Sequence, residues 1–348
     1  MNEQFRSAVY ATVFAVAIGW VLHIGAGVFV PIVFGVLVVY VIDGLTQLLF
    51  RVPGVGRRLP RALGTMVTAI VIMWALAAIA SLVAGSVGNI MALAPRYSAS
   101  LLNTIQELAA RLGIEATPTW ETLRRDLLAQ VNTQRLIGST VLSVTSIATS
   151  LVVVLLYVAF LLMEQRIFAT KLANVSKDPR RVENLRRILG HVNTRIGTYL
   201  AMKTAVSAVQ GLVSWAVLAL LGVEFAAFWA TLIGLLNFVP YVGSVLGVIL
   251  PVAFATMQFA DLNQVLFVLI ALSATQFVIG FFLDPYLMAN SLNLSPFVIL
   301  ASLAAWSALW GIAGAFLAVP ITACMALVFA EFEATRPIAV LLSRDGRV

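Results

Sequence analysis

From Thr204 to Thr335 the chain has no lysine, arginine or histidine, although it carries 22 Lys+Arg in 348 residues. The only charges in that stretch are five acids: Glu224, Asp261, Asp284, Glu331 and Glu333. A water-soluble fold needs charge on its solvent faces, so this absence excludes one. Lipid selects for it. Charge is scarce throughout: 11% of residues are charged and 61% hydrophobic, with a mean hydropathy of +1.01. These values describe a polytopic, all-α membrane protein. Cysteine is nearly absent as well. Cys324 alone, inside an apolar run, rules out an intrachain disulfide and a cysteine-based metal cluster. The two histidines, His23 and His191, are too far apart in sequence and setting to form a ligand pair, so no metal or other cofactor is expected.

Catalytic signatures are missing too. There is no His-Glu-x-x-His, no Gly-x-Gly-Asp, no Gly-x-Ser-x-Gly and no Walker sequence. Gly243-Ser244 lacks a plausible histidine base, and the chain is not expected to be an enzyme. The basic residues that do occur are confined to a few loops. That is a pattern of membrane orientation, and without stacking aromatics or a binding fold no nucleic acid partner is expected.

Residues 7–50 are apolar for more than one membrane thickness, since a span takes roughly 20 residues. The weak break His23-Ile24-Gly25-Ala26-Gly27 predicts a tight hairpin of two spans. Arg51, Arg57, Arg58 and Arg61 then crowd a loop that the positive-inside rule places in the cytoplasm, with the N-terminus. A third span over roughly 62–87 completes the region 1–87. Residues 88–138 mix five arginines with four acids and carry two amphipathic helical runs, the second opening at Thr117-Pro118. This region is expected outside the cytoplasm. A hydroxyl-rich fourth span covers 139–163; small residues of this kind pack helices or line a conduit. Residues 164–203 hold nine basic residues against three acids and an amphipathic helix capped by Asp178-Pro179. A cytoplasmic linker binding anionic inner-leaflet lipids is expected there.

The base-poor region 204–335 contains a fifth span to about residue 222, then the apolar run 225–260. Pro240 and Pro251 divide that run, so it reads either as one kinked helix or as a re-entrant pair of half-helices. Parity favours about eight spans, with crossings at 225–257, 262–283 and 295–331. The basic tail 336–348 then lies in the cytoplasm; a re-entrant 225–260 would strand it outside unless the run 295–331 is broken as well. Within the region, Gly243-x-x-x-Gly247 suits helix packing. Asn237, one turn before a helix-breaking proline, suits either freed backbone groups or a polyol substrate. Gln276 is a second amide candidate inside a span. Asp284-Pro285 reads as an ion or proton site, or as a cap with proline at the first helical position.

These segments carry a resemblance. The run from Asn237 to Pro251, NFVPYVGSVLGVILP, resembles the signature of the autoinducer-2 exporter (AI-2E) family, with Pro240, Tyr241, Gly243, Gly247 and Pro251 at its fixed positions. Leu292 to Pro296 (LNLSP) is similar to that family's Leu-x-Leu-x-Pro segment, and Gly311 to Pro320 (GIAGAFLAVP) to its Gly-x-x-Gly segment through Gly311, Gly314 and Pro320. Ser295 stands where members often carry a histidine. The resemblance implies a transporter-like, helical homo-oligomer, with pentamers known in the family; the charge pattern adds the expectation of a multi-pass cell (inner) membrane protein with both termini cytoplasmic. It leaves two transport chemistries open: export of a small polar metabolite or signal such as autoinducer-2, or sodium or lithium exchange for protons. A non-transporting regulatory or scaffolding membrane protein is the remaining class.

Overall fold

The computed structural model describes residues 3–51, 60–111, 133–175, 177–259, 261–288 and 293–346. The core of the arginine loop and the second amphipathic run of 88–138 lie outside these residues, as do the side chains of the hydroxyl-rich start of the fourth span. Among the described residues every element is helical, apart from one isolated bridge between Leu294 and Ser343. Among the described residues six helices are long and apolar enough to cross a membrane: Ala26–Arg51, Ala62–Ile90, Pro179–Leu220, Val242–Phe259, Leu262–Leu287 and Pro296–Glu331. Shorter apolar helices lie at Thr12–Ile24, Thr149–Gln165 and Ala226–Leu236. The chain is a polytopic helical membrane protein.

In order, the helices are α1 (Glu3–Ile24), α2 (Ala26–Arg51), α3 (Arg61–Arg111), α4 (Thr133–Ala173) and α5 (Pro179–Leu220). Gly25 alone separates α1 from α2. It donates to Val21 O at 2.8 Å and accepts from Phe29 N–H at 2.9 Å, which is helical bonding on both sides. The chain therefore bends at Gly25, where the sequence predicts a tight hairpin. Helix α3 runs unbroken from the third span through the first amphipathic run, about 75 Å at 1.5 Å per residue. Helix α5 begins where Asp178-Pro179 predicts, with Asp178 Oδ1 accepting the Arg180 N–H at 2.9 Å. It continues without interruption from the basic linker into the fifth span.

Next come α6 (Ala226–Leu236), α7 (Val242–Phe259), α8 (Leu262–Val278), a π-helical turn at Ile279–Leu283, α9 (Asp284–Met288), α10 (Pro296–Glu331) and α11 (Arg336–Leu342). The apolar run 225–260 is a helical hairpin. A Cβ on Gly243 would lie 1.8 Å from Leu236 O, and one on Gly247 would lie 3.6 Å from the Ile233 side chain. A straight helix would hold those pairs about 10 Å and 21 Å apart, so α7 doubles back on α6. Tyr241, at φ 61°, supplies the left-handed step of the turn. Helix α10 is broken in the same manner. Gly311 has φ 60° and ψ −138°, which a side chain would strain, and it divides the helix into arms 296–310 and 312–331. A Cβ on Gly314 would meet Trp306 O at 1.8 Å, and Trp306 Nε1 donates to Thr322 Oγ1 at 3.3 Å. These arms are antiparallel as well.

The helices group into two compact units, one of residues 1–70, 151–202 and 288–348, the other of 71–150 and 203–287. In the first, α2 meets α5 at backbone distance: a Cβ on Gly44 would lie 2.2 Å from Gly197 O. Small residues allow that approach where lipid supplies no hydrophobic drive between helices. Val192, Ile196, Leu200, Val319 and Ala323 form its core. The turn between the two arms of α10 is tied to the end of α1, with Trp310 Nε1 donating to Leu22 O at 2.9 Å and His23 Nδ1 3.0 Å from Leu309 O. In the second unit, Leu218, Trp229, Ile233, Phe254, Val268 and Leu272 pack together. Gln258 closes the turn after α5, accepting from Glu224 N–H and donating to Gly222 O, both at 2.8 Å.

Candidate functional site

The second unit contains polar groups where an apolar span would bury none. On α5, Lys203, Ser207, Gln210 and Ser214 recur at steps of four, three and four, which places them on one helical face. All four are buried, Gln210 to 1% exposure and Ser214 to 0%. A buried polar group without a partner costs about 1–3 kcal/mol. Among the described residues Gln210 finds no partner for its amide nitrogen or its amide oxygen, and Ser214 none for its hydroxyl.

The hairpin of α6 and α7 is brought against this face by a glycine contact. A Cβ on Gly234 would lie 2.9 Å from Ser207 O and 3.6 Å from Gly211 Cα, so α5 and α6 cross with backbones touching. That crossing delivers the hairpin turn to the polar stripe: Asn237 Nδ2 donates to Ser207 Oγ at 3.1 Å. Asn237 is the C-terminal cap of α6, and its own N–H still donates to Ile233 O. Pro240 and the exposed Tyr241 complete the turn, and Gly243 makes its tight reversal possible. Gly247 has a distinct role. A Cβ there would sit 2.8 Å from Gln276 Nε2, so the glycine leaves room for that amide. Pro251 is fully buried inside α7.

At the other end of the stripe, Lys203 Nζ donates to Asp284 Oδ2 at 2.8 Å. The lysine side chain is 8% exposed and the aspartate 25%, while Asp284 Oδ1 has no partner among the described residues. Asp284 comes directly after the π-helical turn and has helical φ and ψ, with Pro285 next to it in α9. Its side chain is thus engaged with a cation from another helix. π-Turns of this kind recur at functional sites, because they shift the residues beyond them around the helix.

Asn237, Pro240, Tyr241, Gly243, Gly247, Pro251, Gln276, Asp284 and Pro285 all belong to this unit. Pro296, Gly311, Gly314 and Pro320 belong to the other, where they build the second hairpin. Pro296 opens α10 behind an extended Ser295, Gly311 breaks it, Gly314 packs on Trp306 and Pro320 is buried in the second arm. Lys203, Ser207, Gln210 and Ser214 escape a sequence reading that assigns Lys203 to the basic linker. The signal that finds them is polar residues recurring at helical spacing inside an apolar span.

Comparison with known proteins gives a family and several relatives. The model of the AI-2E family transporters matches residues 11–333. AI-2 transport protein TqsA of Escherichia coli (strain K12) is 29% identical over 325 residues, covering 92% of this chain and 91% of that protein. A putative transport protein of Borreliella burgdorferi is 35% identical over 195 residues, 56% of this chain and 54% of its own length. Putative transport protein YhhT of E. coli K12 is 26% identical over 328 residues, or 92% and 89%.

Proposed function

The chain belongs to the AI-2E family of membrane transporters, and on that footing we propose that it exports a small polar metabolite or signal past the polar stripe of α5. The observation that carries this reading is the Gln210 amide, buried with donor and acceptor both unpartnered in a membrane helix. Lipid offers such a group nothing, so non-helical or polar features at this depth serve a cavity or a path. A solute with hydroxyl and carbonyl groups, as a furanone signal such as autoinducer-2 has, pairs with both halves of an amide. Asn237, already bonded to Ser207, places the hairpin turn beside the same path, so movement of the turn and access to the stripe are coupled.

A second chemistry, sodium or lithium exchange for protons, is favoured by the Lys203–Asp284 pair. A proton or alkali ion on the half-satisfied carboxylate competes directly with the lysine. The charges of the linker and tail support an orientation. With 225–260 and 296–331 each returning to its own side, α3, α4, α5 and α8 cross once apiece, and the tail ends on the same cytoplasmic side as residues 177–203. Helices α1 and α2, which meet in a bend at Gly25, are left out of that count. The apolar side chains that α1 exposes, Tyr10, Phe14 and Trp20 among them, suit a homo-oligomer contact or lipid.

Flux through proteoliposomes with a panel of polar solutes, with and without sodium and proton gradients, tests the reading. Asn237→Ala and Gln210→Ala are expected to lower flux while expression and oligomer size stay normal. Undiminished flux in both variants, with normal assembly, would end the proposal.

A further inference from the structure

A cavity of about 560 Å³, within the range of small-ligand sites, is lined entirely by residues of the first unit. Its floor is apolar, formed by Leu294, Leu327 and small residues such as Ala326, and its rim carries Arg195 and Arg336. These arginines come from different elements, α5 and the start of α11, and neither guanidinium has a hydrogen-bond or ion-pair partner among the described residues. The one acid on the rim, Glu331, lies 3.7 Å from His191 Nδ1 and is directed to that ring. Asp345, close by in sequence, is engaged by the Asn293 side chain.

The wall is built, not draped. Ser295 N–H donates to Leu342 O at 3.0 Å and Arg344 N–H to Asn293 O at 3.2 Å, so the C-terminal segment is pinned against the start of α10. Two unpaired guanidiniums over an apolar floor define a ligand with an anionic head and an apolar body. The planar fork of arginine matches the oxygens of a phosphoryl group, and two forks from separate elements suit a tetrahedral anion.

We propose that this cavity binds a phosphate-bearing ligand, its phosphoryl group held between Arg195 and Arg336 and its body on the alanine-rich floor. The phosphoryl group comes from a membrane phospholipid or from a soluble phosphate compound, and the occupant braces α11 against α5 and α10. The site is separate from the transported solute, so it stands or falls independently of the transport reading.

The test is thermal unfolding of the full-length, delipidated protein in detergent, monitored by tryptophan fluorescence. One arm adds inorganic phosphate; another adds phosphatidylglycerol, with phosphatidylcholine as reference. A rise in midpoint with inorganic phosphate identifies the soluble source, and a rise with phosphatidylglycerol beyond that of phosphatidylcholine identifies the lipid. Either supports the site. In Arg195→Gln/Arg336→Gln the half-maximal concentration should increase at least about tenfold, since each charge-assisted contact is worth on the order of one such factor or more. Ala326→Phe, which fills the floor and keeps both charges, should abolish the response and guards against a double variant that fails to fold. Arg180→Gln/Arg187→Gln, on a separate exposed basic face, should respond like the unmodified protein. No rise with either probe overturns the proposal. So does a response retained in Ala326→Phe, or one lost equally in the Arg180/Arg187 variant.

Discussion

Replacing Gln210 by methionine separates a transport path from a packed core. Gln210 is 1% exposed and neither amide atom has a partner among the described residues. An unsatisfied buried polar group costs about 1–3 kcal/mol, so two such atoms in a dry core would cost about 2–6 kcal/mol. Methionine has similar length, no hydrogen-bonding demand and enough freedom to fill an irregular gap. Gln210→Met should therefore leave stability unchanged or raise it, the gain being smaller where water or solute already serves the amide. At about 2–4 °C per kcal/mol for domains of 150–250 residues, the midpoint rise lies between zero and roughly 24 °C. Flux should fall by about tenfold, because a solute hydrogen bond worth on the order of 1.4 kcal/mol is removed. The contrast is Leu218→Ala on the same helix, fully buried in the apolar core, which should lose about 2–5 kcal/mol and reduce flux only through the amount of folded protein. Thermal unfolding in mild detergent and proteoliposome flux on the same preparations give both readouts. A Gln210→Met protein destabilised by more than about 1 kcal/mol would show the amide to be structural. A normally folded one with full flux would show that it lies off the path.

The Lys203–Asp284 pair should behave as a buried unit: Lys203→Met or Asp284→Asn alone should cost about 3–5 kcal/mol by leaving a charge uncompensated, and Lys203→Met/Asp284→Leu together much less. A double-mutant cycle by denaturation checks this, and additive losses would contradict it. Gly243→Ala and Gly314→Ala each place a methyl group 1.8 Å from a carbonyl oxygen across a hairpin, so each should cost at least the roughly 1–3 kcal/mol typical of overpacking. Gly190→Ala, which meets nothing within 4 Å, is the control in unfolding measurements. In a Cys324→Ser background, a cysteine at position 120 should label from outside the cell and one at position 187 only from the cytoplasm. Native mass spectrometry should show an oligomer, and only monomer at every concentration would refute the assembly proposal.

Much of this protein is written in its composition. The base-free stretch 204–335 and the low charge content require lipid, because no aqueous surface can be built from them. Asp178-Pro179 marks the start of α5 and Pro240 marks a break, since a missing N–H and a fixed φ act within one turn of the residue itself. The path of the chain beyond Pro240 is decided by long-range approach. Whether 225–260 bends or reverses depends on Tyr241 at φ 61° and on Gly243 lying against Leu236 O, and no local preference of tyrosine announces a left-handed turn. Gly25 shows the converse: a glycine-flanked break that looks like a hairpin is a bend with helical hydrogen bonds on both sides of the glycine. Hydrophobic periodicity is a weak guide in a membrane, where helix faces toward lipid and toward protein are both apolar. Lys203 therefore reads as the last basic residue of a linker until the tertiary structure sets it against Asp284, and Gln210 reads as one polar residue among many apolar ones until packing removes its partners. Burial and pairing are properties of what comes close in space, and only the fold decides that.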